Sequence, residues 1–148
     1  MTKELAKRPI DKLKAVINHP TVQAQFKNAL GKHSDLFVAS LIDVFSSGLE
    51  DCEPKEVVQE ALKAAVLKLP ISRSLGLSYL VPYNQSEKIN GEWIKKKVPQ
   101  FQIGYKGMIQ LALRSGQLKI LNADTVFEGE FQGFDKLKGT VDFSGNGK

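Results

Sequence analysis

Basic and polar side chains at repeated spacing are the main chemical feature of this 148-residue chain. A run of three lysines, Lys95, Lys96 and Lys97, precedes three residues spaced about one helical turn apart, Lys106, Gln110 and Arg114. Lys119 continues the positive line just past the predicted helix. Several cations on rigid elements can neutralise successive phosphates, which is how proteins follow a nucleic-acid backbone. The pattern predicts a polyanion partner. For the lysine run, the alternative is a solvated strand edge that resists aggregation.

Three aromatic side chains are interleaved with these cations. They are Trp93, Phe101 and Tyr105. An unpaired base gains ~1–3 kcal/mol by stacking on such a ring, so the combination favours single-stranded nucleic acid. Phe101 also fits a core position of a strand with period two. For Trp93 and Tyr105, the core and the base-stacking interpretations are about equally well supported by the sequence.

The charge of the chain is separated along its length. Residues 61–119 carry ten Lys/Arg against two acids, a net of +8, whereas residues 34–60 carry one Lys against seven acids, a net of −6. The whole chain has a net charge of only +5. This separation indicates a polyanion partner, or contacts between the acidic segment of one copy and the basic segment of another. The alternative is that the lysines only keep the surface soluble.

The residues of common catalytic sites do not form recognisable patterns here. No glycine-rich phosphate loop or dinucleotide fingerprint occurs, and His19 and His33 lack partner ligands. Cys52 lies in an acidic turn, which raises a thiol pKa rather than lowering it. We therefore expect no enzyme activity, no cofactor and no metal. Glu128 and Glu130 leave a magnesium-dependent nuclease as a minor alternative.

The single cysteine excludes an internal disulfide and is compatible with a reducing compartment. No apolar run reaches the ~20 residues of a membrane span, and the N-terminus lacks a signal-peptide core. These features predict a cytoplasmic protein without membrane contact.

The elements that must position the cations can be predicted from periodicity. Helices are expected at residues 11–17, 20–31, 34–48 and 54–70, and a further helix from Tyr105 to a C-cap at Gly116. Strands are expected at 77–83, 93–103, 118–130 and 140–143, with a polar turn at 84–91 between the first two. Pro99 indicates an edge strand or a bulge. The predicted fold class is α+β, a helical N-terminal half followed by a β-hairpin, a helix and strands.

The segment PQFQIGYKGMIQLALRSG at residues 99–116 resembles the signature of the RecT family of phage-type single-strand annealing recombinases. LPI at 69–71, LGLSYLVPY at 75–83 and EGE at 128–130 are also similar to that family. The resemblance extends in register from about Val16 to about Glu130. Members of this family continue beyond the point where this chain ends, so residues 1–148 are expected to form a single domain that covers the N-terminal and central part of the family.

The resemblance implies a function without ATP hydrolysis: coating single-stranded DNA and pairing it with a complementary strand. It implies assembly into rings or filaments, and as partners an exonuclease and the host single-strand binding protein. The residues expected to contact single-stranded DNA or the annealed duplex are Lys95, Lys96, Lys97, Gln102, Tyr105, Lys106, Gln110, Arg114 and Lys119. Because the chain is short, a DNA-binding module without annealing activity is the alternative.

Overall fold

The computed structural model describes residues 8–119, 121 and 124–143. Their elements are α1 (Pro9–Ile17), α2 (Pro20–Leu30), α3 (Ser34–Ser46), α4 (Pro54–Val66), β1 (Ser78–Ile89), β2 (Glu92–Ile103), α5 (Tyr105–Arg114), β3 (Phe131–Asp135) and β4 (Thr140–Phe143). Helices in the N-terminal half precede antiparallel hairpins and a helix, which confirms the α+β prediction. The chain divides into two compact units, residues 1–117 and 118–148. Their organisation as a single domain remains a prediction.

The four N-terminal helices follow the sequence signals closely. Proline stands in the first turn of α1, α2 and α4, where its missing N–H costs no hydrogen bond. Ser34 is the first helical residue of α3, which has no side-chain cap. α4 ends at Val66, four residues before Pro70.

The hydrophobic core lies among these helices. Its fully buried members include Leu13 of α1, Phe26 of α2, Phe45 of α3 and Ala61 of α4. Leu80 of β1 joins the same cluster, so the first hairpin is anchored to the helices through its base. Burying this apolar surface is the main stabilising term for the unit.

β1 and β2 form a long antiparallel hairpin. The expected polar turn at 84–91 was too long, because β1 continues to Ile89 and the turn consists of Asn90 and Gly91 alone. Both turn residues have positive φ, 51° and 90°, the conformation that Asn-Gly favours in two-residue hairpin loops. Residues 84–89 extend instead because each has a partner in β2.

Pro99 lies in β2 without a bulge, directly opposite Pro82. The backbone N–H of Phe101, two residues further along, donates to Glu60 Oε2 of α4 (2.9 Å) rather than to β1. N–H groups two residues apart in a strand point the same way. The missing N–H of Pro99 is therefore on the outer edge of β2, and the predicted edge position is confirmed.

The second unit contains β3 and β4, which pair antiparallel. The prediction of β4 at 140–143 is confirmed. The strand predicted at 118–130 is wrong for the described residues of that range, none of which is in a strand. Residues 128–130 form a turn, in which the N–H of Glu130 donates to Phe127 O (3.1 Å), and the strand begins at Phe131.

None of the helices within the described ranges combines the length and the hydropathy that a membrane span requires.

Candidate nucleic-acid interface

The junction between β1 and α5 depends on a close backbone approach. A Cβ atom added to Gly107, in the first turn of α5, would lie 2.1 Å from Leu77 O, and one added to Gly104 would lie 2.3 Å from Gly76 O. Neither distance is compatible with a side chain. The two glycines of the Gly-Tyr-Lys-Gly motif therefore let α5 pack on the segment before β1, and they do not form a phosphate loop.

Two of the three lysines of the run are paired within the chain. Lys96 Nζ donates to Glu56 Oε1 of α4, and Lys97 Nζ donates to Asp51 Oδ2 (2.6 Å). A parallel bridge between Cys52 and Lys97 holds the acidic turn along the outer edge of β2. The acidic segment thus contacts the basic segment of its own chain. Part of its negative charge is therefore paired with lysines without the need for a second copy of the chain.

These contacts raise the pKa of both lysines. The hydrogen bond that Lys96 donates to Glu56 raises the pKa of Lys96 above its ordinary value, and the hydrogen bond that Lys97 donates to Asp51 does the same for Lys97. Glu56 Oε2 is buried and has no hydrogen bond among the described residues. Since a buried carboxylate oxygen is poorly solvated, the ion pair with Lys96 is the contact that compensates Glu56 for its burial.

The third lysine, Lys95, is exposed on β2 directly opposite Ser86. Residues two apart in a strand share a face, so Lys95 and Lys97 lie on one face of the hairpin and Lys96 on the other. No salt bridge of Lys95 occurs within the described part of the chain. Lys95 is thus the member of the run whose charge is available to a ligand.

The predicted stripe of Lys106, Gln110 and Arg114 on α5 is only partly available. Lys106 is exposed, with Nζ 6.0 Å from the centroid of the Tyr105 ring. Gln110 Oε1 is buried and has no hydrogen bond to any described residue. Arg114 Nη2 donates to Leu67 O (2.5 Å), the residue that caps the C-terminus of α4. The stripe thus contains an exposed lysine, a half-buried glutamine and an exposed arginine that is hydrogen-bonded to the end of α4.

The apolar side chains of α5 are not fully buried. Tyr105 is 69% exposed and Met108 59% exposed, while the buried residue of the helix is Gly107. The reason is the close approach of Gly107 to Leu77, because only a face without a side chain fits there.

The remaining predicted site residues occupy three different environments. Gln102 Nε2 donates to Tyr83 Oη (2.6 Å), which fixes the amide on the hairpin surface. Tyr105, at the start of α5, presents its ring to solvent. Lys119 belongs to the second unit.

The burial of the three aromatic rings distinguishes a core position from an exposed one. Phe101 is half-buried and packs against the core, so its core interpretation is confirmed. Trp93 is 71% exposed, near the tip of the hairpin, and Tyr105 is similarly exposed. Neither of these rings has the burial of a core residue.

The groups considered for catalysis do not assemble within the described ranges. No cluster of three or more His, Cys, Asp or Glu side chains suited to a metal occurs there. The Phe127 N–H donates to Glu130 Oε2 (2.8 Å), so that carboxylate stabilises its own turn. Burial raises the pKa of the Cys52 thiol, and Asp51 and Glu56 raise it further, as the acidic turn predicts.

Sequence reasoning missed Glu60, whose carboxylate accepts hydrogen bonds from the Phe101 N–H and from Lys63 Nζ. It therefore joins α4 to β2. Glu60 lies in an amphipathic helix, and no periodicity signal separates it from solvated acids.

The model of the RecT family matches residues 35–148, which include both hairpins and α5. The chain is 38% identical over 127 residues to the uncharacterized protein YqaK of Bacillus subtilis strain 168, covering 84% of this chain and 40% of that protein. It is 32% identical over 125 residues to the protein RecT of Escherichia coli strain K12, covering 80% of this chain and 44% of that protein. The chain thus spans less than half the length of these relatives.

Proposed function

Because this chain belongs to the RecT family, we propose that it acts in DNA recombination by binding single-stranded DNA and annealing complementary strands without ATP. The single observation that carries the proposal is the family match over residues 35–148. The matched region contains the first hairpin. Its outer part carries Lys95, which makes no salt bridge with the described residues, and the exposed Trp93. The proposed role is that of a template that makes and breaks no covalent bond.

Electrostatics supplies the proposed mechanism. Two unpaired strands repel each other through their phosphates, and cations that neutralise one strand reduce that barrier. Lys95 and Lys106 are exposed and would contact phosphates directly. Lys96, Lys97 and Arg114 would do so only by sharing or releasing their present partners Glu56, Asp51 and Leu67 O. Phosphate contacts of this kind leave the base edges free to pair with an incoming strand.

The further site assignments are part of the same proposal. Tyr105 presents an exposed ring beside Lys106, which suits stacking against a base next to a phosphate. Gln102 and Gln110 would contribute polar contacts, and Lys119 is a further cation for which we propose a phosphate contact. We further propose that the protein works in the cytoplasm, self-associates, and meets an exonuclease and the host single-strand binding protein.

A second candidate is a DNA-binding module without annealing activity. The observation that favours it is that Lys96, Lys97 and Arg114 are already hydrogen-bonded within the chain, which leaves fewer free cations for two strands. Binding one strand needs a single cationic surface, whereas annealing also requires that a second strand reach the bound bases. Both candidates therefore predict affinity for a single strand, but only the annealing protein is expected to accelerate the pairing of two complementary strands.

One experiment separates these candidates. Complementary dye-labelled oligonucleotides are mixed with the chain in the absence of ATP, and pairing is followed by energy transfer. Pairing faster than in the protein-free control supports the annealing function. Binding without acceleration supports the module, cleavage in Mg²⁺ indicates a nuclease, and the absence of any binding overturns the proposal.

A further inference from the structure

The outer part of the first hairpin has two chemically different faces. Lys88 lies directly opposite Trp93, and Lys95 follows two residues along the same strand. Directly opposed residues and residues two apart share one face of a hairpin. Lys88, Trp93 and Lys95 therefore form one surface, which we call the Trp93 face.

The opposite face is acidic and aliphatic. It carries Glu87 opposite Ile94 and Ile89 opposite Glu92. No acidic residue of either strand falls on the Trp93 face. Of the hairpin lysines, Lys88, Lys95 and Lys97 thus share the face of the indole, whereas Lys96 lies on the face that carries the two carboxylates.

The Trp93 face is available to a ligand. The Trp93 side chain is 71% exposed, and neither Lys88 nor Lys95 makes an ion pair with any described residue. Toward the core, the next lysine on this face is Lys97, which is held by Asp51. The free positive charge of the face is therefore concentrated around the indole.

We propose that the Trp93 face binds one unpaired base of a single strand by stacking on the indole, with Lys88 and Lys95 contacting the adjacent phosphates. This inference rests on the function proposed above and specifies where the strand is held. An aromatic ring between two cations matches the alternation of base and phosphate along a strand. A duplex would contact only the lysines, because its bases are already stacked on each other.

The chain offers a direct probe, since Trp93 is its one tryptophan. Unlabelled oligothymidylate is titrated into the chain while indole emission is recorded, and a dye-labelled oligothymidylate measures affinity by anisotropy in parallel. The expected result is quenching of the emission with the same midpoint as the anisotropy. A duplex of equal length is expected to bind with little change in emission.

Substitutions on the two faces of the hairpin test whether the single strand contacts the Trp93 face. Trp93→Ala is expected to weaken single-strand affinity about 5- to 150-fold, the range that corresponds to loss of one stacked base. Trp93→Phe retains a ring and should lose less. The matched control is Ile94→Ala, which removes a side chain 46% exposed on the opposite face and should leave affinity unchanged. Circular dichroism checks that each variant is folded.

The failures of the two proposals are distinguishable. The absence of any anisotropy change overturns the proposed function together with this inference. Full affinity of Trp93→Ala and unquenched emission, with anisotropy still reporting binding, overturn this inference alone. Equal quenching by the duplex contradicts base stacking. If the tryptophan emission per chain changes with protein concentration in the absence of DNA, the Trp93 face is a contact between copies, and this result also overturns the inference.

Discussion

Lys97 Nζ lies 2.6 Å from Asp51 Oδ2, although the two residues are 46 positions apart in sequence. This ion pair connects the most acidic segment of the chain to its most basic one. A phosphate that approaches Lys97 must compete with this carboxylate. The acidic turn therefore limits how much of the lysine run is available to DNA.

Removing that competitor should strengthen DNA binding. Asp51→Asn frees Lys97 and is expected to raise single-strand affinity roughly two- to fivefold, in the range that exposed ion pairs provide. Glu50→Gln removes the same charge from the neighbouring residue, which is exposed and makes no ion pair with the described residues, and it serves as the control. Anisotropy at several salt concentrations measures both. Equal affinity of the two variants would show that Asp51 does not compete with phosphate.

Lys96 should matter for stability more than Lys95 does. Lys96→Ala leaves the half-buried Glu56 carboxylate without its cation, so the urea midpoint should fall at pH 7, whereas Lys95→Ala should leave it nearly unchanged. The pKa of Lys96 is raised above its ordinary value of 10.5 by the hydrogen bond to Glu56. Its contribution is complete below pH 10.5 and is lost as the pH rises through the raised pKa. A deficit of Lys96→Ala that persists at higher pH would contradict the ion-pair origin.

Gly107 should tolerate no side chain. Gly107→Ala places a Cβ 2.1 Å from Leu77 O, and overpacking of this kind costs roughly 1–3 kcal/mol of unfolding free energy. Gly133→Ala in β3 is the control, because a Cβ there meets nothing within 4 Å. Chemical denaturation followed by circular dichroism compares them. Equal midpoints would show that α5 does not pack as described.

The fold was largely predictable because its signals are local. Prolines at helix starts, the Asn-Gly turn and period-two alternation each act within a few residues, and they gave the helices and most of the first hairpin. The orientation of α5 was not predictable, because it is set by contact of Gly107 with Leu77, 30 positions earlier. The pairing of Lys96 and Lys97 was missed for the same reason, since it depends on where α4 and its preceding turn lie against β2.

Lys106 and Arg114 should separate binding from stability. Lys106→Ala removes an exposed cation and should lower single-strand affinity and flatten its salt dependence without changing the urea midpoint. Arg114→Ala also removes the hydrogen bond to Leu67 O. We therefore expect the free energy of unfolding to fall by about 1 kcal/mol and the urea midpoint to fall with it. Denaturation and salt titration of both variants provide the comparison. An unchanged salt slope in both would remove α5 from the interface.

The proposed annealing function is measured by the initial rate at which complementary dye-labelled strands pair without ATP. The wild-type chain is compared with a Lys88→Ala/Lys95→Ala variant and with a protein-free control. We expect the wild type to accelerate pairing and the variant to lose most of that acceleration, because the two lysines of the hairpin that make no ion pair with described residues hold the strand. A wild-type rate equal to that of the protein-free control, with the chain folded, would refute the proposed function.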